Sequence, residues 1–220
     1  MRLTKRLLIE FEALAAILAV TVLTIIIFTR PSLNESAQVM SIAQSTILSI
    51  FIYGGFLLLT FVFILIKKTM WVRYLFSVLL STITLRNIDN LYLLIVNRKI
   101  SDNGAAILSD AMLIWITSLL VFSLWYWIID RGGPVARQEE RDETRYDLLF
   151  PQYQNKIPGW ERWHPRYLDY LFFSFFTSTG FSPADTLPLT KRIKLLMMTE
   201  ASISLIIIGM VASRAISLIR

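Results

Sequence analysis

Long apolar runs separated by short charged turns dominate the chain. Runs at about Leu8–Phe28, Ser45–Ile66, Tyr74–Val96, Ala111–Ile129 and Ile193–Ile219 approach or exceed the roughly 20 apolar residues that carry a helix across a bilayer. The polar stretches between them, Arg30–Gln44, Lys67–Arg73, Arg98–Asp110 and Asp130–Arg166, read as connections. A further apolar, aromatic stretch, Tyr167–Ser178, is shorter, and a loop from Thr179 to Thr190 follows it. A hydrophobic segment of roughly 10–14 residues is more often re-entrant, interfacial or buried than spanning. Non-helical backbone at membrane depth persists only where protein or water covers it. The pattern therefore predicts an all-α integral membrane helical bundle of about five spans, with a short re-entrant pore-type helix before the last one. Its parts are a four-segment bundle over 1–129, a polar connector over 130–165 and a short-helix, hairpin, long-helix module over 166–220.

Composition sharpens this reading. The 220 residues are 55% hydrophobic and 17% charged, with a mean hydropathy of +0.58. A net charge of +6 would point to nucleic acid in a soluble protein, but here Lys and Arg flank apolar runs, where they orient membrane helices. The expected partner is the lipid bilayer, and nucleic acid is not implied. Counting those cations puts the N-terminus, the Lys67–Arg73 turn and the loop after Asp130 in the cytoplasm, with the C-terminus outside. The basic start resembles a signal sequence, yet Glu10 and Glu12 interrupt the apolar part and no small-residue cleavage site follows Phe28, so an uncleaved first span is expected. Glu10 stands one turn from Arg6, a spacing that suits an interfacial pair.

Candidate chemistry is narrow. Cysteine is absent and His164 is the single histidine, which removes thiolate sites and multi-histidine metal centres and leaves carboxylates as the strong ligands. No phosphate loop, nucleophile elbow or zinc pattern occurs. No enzyme activity, cofactor or metal centre is therefore expected. The paired acids Glu139-Glu140 and Asp142-Glu143 lie in a mixed-charge run that reads as a solvated connector. Inside apolar runs, Arg86 and Asp89 stand at i, i+3, where one helical face carries both and they can neutralise each other. They read either as a polar lining or buried pair beside a pathway, or as a break whose polar groups reach an interface. Glu200 and Arg214 lie in the last run, about 21 Å apart along an ideal helix. Glu200 needs a partner there; support for the hairpin, pairing with Arg86 and a lumenal position are the alternatives, while Arg214 can snorkel. The Trp125-Tyr126-Trp127 cluster, with Trp160, Trp163, Tyr167 and Tyr170, is expected at headgroup level.

The order Phe172–Phe176, Ser178-Thr179-Gly180-Phe181-Ser182, Asp185, Pro188, Thr190, then a long helix carrying Glu200, resembles the pore helix, filter and inner helix of the potassium-channel superfamily. Such a filter stacks backbone carbonyls that replace the ion's water shell. The resemblance covers about a quarter of the chain. It implies that Ser178, Thr179, Gly180, Phe181, Ser182 and Asp185 face monovalent cations in a homo-oligomer, a tetramer by likeness. Ser182 stands where the family has its second glycine, and Pro183 and Ala184 precede the acid, so the filter is degenerate. Glycine reaches left-handed conformations at little cost, whereas proline fixes φ and lacks a donor. The charge count puts the hairpin's mouth in the cytoplasm, opposite to a potassium-channel filter. Either the element is inverted, as in ionotropic glutamate receptors, or the third segment does not cross. A second resemblance, carried by Asp130-Arg131-Gly132-Gly133-Pro134, by Asp147 to Pro151 and by Phe181 to Leu189, is to a group of small uncharacterised bacterial membrane proteins. It implies a bacterial inner membrane and supplies no activity. The expected function is a cation channel with a degenerate filter; the alternative is a non-conducting membrane scaffold or accessory subunit. A transporter should show paired broken helices in two related halves, and no such repeat is visible.

Overall fold

A computed structural model describes residues 15–27, 47, 51, 54–55, 69–134, with the exception of 97–103, then 137, 146–154, 163–181 and 186–219. The described chain is mostly helical: α1 (Ala15–Ile27), α2 (Thr69–Val96), α3 (Gly104–Ile129), the single-turn α4 (Pro151–Gln154), α5 (Tyr167–Thr179) and α6 (Lys191–Ile219). Tyr74–Ile95, Ile107–Gly132 and Lys191–Ser213 are long and apolar enough to cross a membrane, and the protein is accordingly a membrane protein. Most of the run expected at Ser45–Ile66 lies outside the described residues, as do Ser182 and Asp185.

The chain divides into two compact units. One comprises Leu18–Val121 and Ile207–Arg220. Within it, α2 buries Phe76, Leu79, Leu80, Ile83, Leu91 and Leu94, a three-to-four-residue recurrence that lines one side of a helix. Asn87 is buried on the same stripe, and its amide donates to the Ile114 carbonyl of α3 at 3.4 Å. Lipid tails are as apolar as leucine, so such packing is held by dispersion and interhelical hydrogen bonds. Four threonine hydroxyls along these helices are satisfied locally: Thr24 donates to Val20, Thr82 to Val78, Thr84 to Leu80 and Thr117 to Leu113, each back to the carbonyl four residues earlier. The polar group at 86–90 does not break α2. Arg86 and Asp89 face each other at 3.6 Å across the i, i+3 step, with side chains 42% and 52% exposed.

The other unit comprises Met1–Ile17 and Phe122–Ile206. It holds the last turns of α3, all of α4 and α5, and the first half of α6. Two residues from each of two loops, Leu148–Leu149 (β1) and Leu187–Pro188 (β2), form an antiparallel pair in the register Leu148↔Pro188 and Leu149↔Leu187. Pattern reading finds no strand here because each strand spans one alternation only. The connector expected to be solvated departs from that expectation at its motif residues. Asp130, Arg137, Asp147, Leu148 and Phe150 are all buried, the aspartates compensated by neighbouring donors and Arg137 by two carbonyls and Asp130.

Candidate functional site

The end of α3 is built to turn. After Ile129 the chain enters a 3-10 turn, Asp130–Gly132, and three consecutive residues take positive φ: Arg131 (49°), Gly132 (77°) and Gly133 (96°). Glycine accepts that geometry freely, whereas at Arg131 it costs about 1–2 kcal/mol. Offsetting this, the Arg131 amide donates to Asp147 Oδ2 at 2.9 Å and its guanidinium lies 4.8 Å from the Tyr146 ring centroid.

Two buried aspartates hold this turn and the loops packed against it. Asp130 Oδ1 accepts from the Leu148 amide at 3.2 Å and Oδ2 from the Tyr170 hydroxyl at 2.6 Å. Arg137 supplies the balancing charge, 3.9 Å from Asp130 Oδ2, while its Nη1 donates to the Trp127 and Asp130 carbonyls, both at 2.8 Å. The same guanidinium lies 5.1 Å from the Tyr170 ring centroid. Asp147 Oδ1 accepts from the Thr190 hydroxyl and from Arg192 Nε, each at 2.8 Å, and Oδ2 pairs with Arg192 Nη2. Its carbonyl accepts from the Leu189 amide at 2.9 Å. Burial would raise the Asp147 carboxyl, but the donors from Arg192, Thr190 and Arg131 outweigh it and hold the group below its ordinary value. The segments Asp130–Pro134, Asp147–Pro151 and Leu187–Arg192, far apart in sequence, thus meet at one end of α3.

That meeting point holds the start of α5 and, further along the chain, the segment Leu187–Pro188. Arg166 is the extended N-cap, and its amide donates to the Asp169 carboxylate at 2.6 Å, satisfying one orphan donor and placing negative charge at the positive end of the helix. Tyr167, Tyr170, Phe173, Ser174, Thr177 and Ser178 are buried, whereas Leu168, Phe172 and Phe175 are exposed. The tyrosine hydroxyls face inward, Tyr167 to Ser123 at 2.6 Å and Tyr170 to Asp130; the exposed face is apolar. Tyr170 therefore ties the start of α5 to the end of α3, and the β1–β2 pair ties the returning chain to the same place.

A second buried constellation lies deeper, at Glu200, about 13 Å along α6 from its first residue. Glu200 is fully buried; its Oε2 accepts from the Tyr126 hydroxyl of α3 at 2.7 Å and its Oε1 from the Ser174 hydroxyl of α5. Tyr126 also meets Phe173 edge to face at 4.9 Å. Tyr126, Tyr167 and Tyr170, which sequence reading puts at headgroup level, are buried and hydrogen-bonded in the interior.

Of the residues singled out in the sequence, Ser178 and Thr179 form the last turn of α5. Their hydroxyls bond back to Phe175 O at 3.0 Å and 2.9 Å. Gly180 caps the helix in the left-handed region at φ 76°, and Phe181 is exposed. Arg86 and Asp89 belong to the other unit. Sequence reasoning missed Tyr126, Asp130, Arg137, Asp147 and Tyr170 as site residues. For Asp130 and Asp147 the signal was the DRGGP and DLLFP motifs, which the surrounding charge run masked; Tyr126, Arg137 and Tyr170 stand outside both motifs. Among the described residues no group of three His, Asp or Glu side chains is arranged to hold a metal ion. Compared with protein-family models, curated proteins and solved structures, the chain matches none.

Proposed function

We propose that the chain is an integral membrane protein of about five crossings, placed in a bacterial inner membrane, in which α5, the turn after it and α6 form a re-entrant module of the pore-loop kind. Several copies, four by resemblance, surround a path for monovalent cations. The supporting observation is the double anchoring of α5: Tyr170 meets Asp130, and the chain returns through β2 to Leu148 and Leu149 beside it. A segment tied at entry and exit to the same end of α3 suits a dip and return. At about 20 Å, a 13-residue helix also falls short of the roughly 30 Å hydrocarbon core. In this reading the cation meets the last carbonyls and negative dipole end of α5, with Ser178, Thr179, Gly180, Phe181, Ser182 and Asp185 at the tip. Its exposed Leu168, Phe172 and Phe175 face lipid or a second copy. Potassium and sodium flux into liposomes holding the purified protein, together with subunit counting by native mass spectrometry, tests it. Flux from an oligomer is the expected result. No flux from a protein that stays monomeric overturns it.

One observation favours a second reading, a non-conducting scaffold or accessory subunit. The Thr177, Ser178 and Thr179 hydroxyls are all spent on carbonyls of their own helix, as suits a packing element. In that case substitutions in the hairpin change stability and leave membrane permeability untouched.

A further inference from the structure

Glu200 presents a charge imbalance. Its side chain is fully buried, and both carboxyl oxygens accept hydrogen bonds, yet the donors, Tyr126 and Ser174, are neutral. Among the described residues no ion pair reaches it. A bare carboxylate in a water-free interior is unfavourable by many kcal/mol, and neutral dipoles lower that cost without cancelling the charge. One turn further along α6, Ser204 is buried and its hydroxyl has no partner, and the i, i+4 step sets it on the same face as Glu200. The ionisable groups of α3, of α5 and of the loop after α3 do not neutralise it. Tyr126 of α3 already donates to Glu200. On α5, Tyr170 is bound to Asp130, and Arg137 pairs with Asp130 while lying over the Tyr170 ring.

We propose that Glu200, with the hydroxyl oxygens of Tyr126, Ser174 and Ser204, is an intramembrane binding site for one small monovalent cation, either a proton or an alkali-metal ion. Taking up a proton forms one O–H bond on the carboxyl and breaks one in hydronium, which leaves as a neutral water molecule. The new hydroxyl donates to Ser174 Oγ, and the Ser174 hydrogen turns to the carbonyl four residues back, as the Thr177 hydroxyl already does at 2.9 Å. Tyr126 goes on donating to the other oxygen. With an alkali-metal ion the carboxylate stays ionised, and the three hydroxyls rotate to offer lone pairs. The site does not depend on the pore reading, because it lies outside residues 178–185 and needs no conduction.

The test compares wild type with Glu200→Gln in lipid nanodiscs, since the amide keeps an acceptor for Tyr126 and a donor for Ser174. Infrared spectra in choline chloride read the protonated-carboxyl band, with Asp110→Asn, Asp130→Asn and Asp147→Asn as controls for the other buried acids. Melting temperatures in sodium, potassium and choline chloride read alkali-metal binding. A protonated-carboxyl band lost in Glu200→Gln assigns the proton. A sodium- or potassium-dependent rise in melting temperature, lost in Glu200→Gln and reduced in Ser204→Ala, assigns the metal ion. Should Glu200→Gln not fold, Ser174→Ala replaces it, and a displaced carboxyl band or a lost salt effect carries the same meaning. If neither the band nor the salt effect responds to these substitutions, the proposal is overturned. Ion flux is not read out, so this result and that of the pore reading are separate.

Discussion

Tyr126 and Glu200 stand 74 positions apart, and their 2.7 Å hydrogen bond joins the last turns of α3 to the first half of α6 inside one compact unit. Replacing Tyr126 with Phe keeps the ring against Phe173 and removes one donor only. The carboxyl is then left with Ser174 alone, a loss of about 1–3 kcal/mol for a buried acceptor. The melting temperature of Tyr126→Phe in detergent should therefore fall. The double variant with Ser174→Ala should be non-additive, because both donors serve the same group.

Asp147 accepts from the Arg131 backbone, Thr190 and Arg192. Asparagine at this position keeps one acceptor oxygen, loses the charge facing Arg192 and turns an NH2 group toward donors. Because the Arg192 side chain is 54% exposed, water can take over part of its charge. The expected loss is thus about 2–3 kcal/mol, below the roughly 3–5 kcal/mol for breaking a fully buried pair. Thermal unfolding of Asp147→Asn measures it. A change within error of zero would mean that the Leu189–Asp147 backbone contact and the β1–β2 pair hold the loop unaided.

Acid should act through the same residue. The Asp147 carboxyl titrates below its ordinary value in the folded chain, so the unfolded chain binds the proton first as pH drops. The stability it contributes is complete above the unfolded value near 3.9 and disappears as pH falls through the lower folded value. Melting temperatures from pH 6 downward should decline below about pH 4. In Asp147→Asn that part of the decline should be absent.

Arg137 balances Asp130 while both are almost inaccessible to solvent. Arg137→Met preserves much of the bulk over the Tyr170 ring and strands the aspartate. Removing one partner of a buried pair costs about 3–5 kcal/mol, which should make this substitution more damaging than either Tyr126→Phe or Asp147→Asn. Adding Asp130→Asn to Arg137→Met should recover part of the loss, since no uncompensated charge then remains. Expression yield and thermal unfolding of the two variants decide it.

The helices were readable because their signal is local. The apolar stretch Tyr167–Ser178 and the helix Tyr167–Thr179 agree almost residue for residue, as do the last apolar run and Lys191–Ile219. The site was not readable in the same way, because its partners are distant. Nothing near Asp147 announces that Arg192 will reach it from 45 positions away, and its neighbours are the charges of a connector. Tyr126 sits between two tryptophans and so carries the signature of a headgroup anchor, while its fate is set by Glu200 on another helix. The Arg86–Asp89 pair was legible because it needs one helical turn only. Burial of the DRGGP and DLLFP aspartates depends on donors as far apart as Arg131, Leu148, Tyr170 and Arg192, which spacing along the chain does not encode.

Gly180 separates the two readings of the hairpin. It holds φ 76° at the end of α5, and a Cβ placed there meets no atom within 4 Å, so alanine is opposed by backbone conformation alone. The left-handed region costs an L residue about 1–2 kcal/mol, and Gly180→Ala should fold with a lowered melting temperature. If the turn is only a packing element, that is the whole effect, and liposomes holding the variant stay as tight as those holding wild type. If the carbonyls of the last turn of α5 face a cation, the strained cap re-aims them, and flux changes in rate or in potassium-to-sodium ratio beyond what the loss of folded protein explains. Normalising flux to the folded fraction, measured on the same vesicles, keeps the two effects apart.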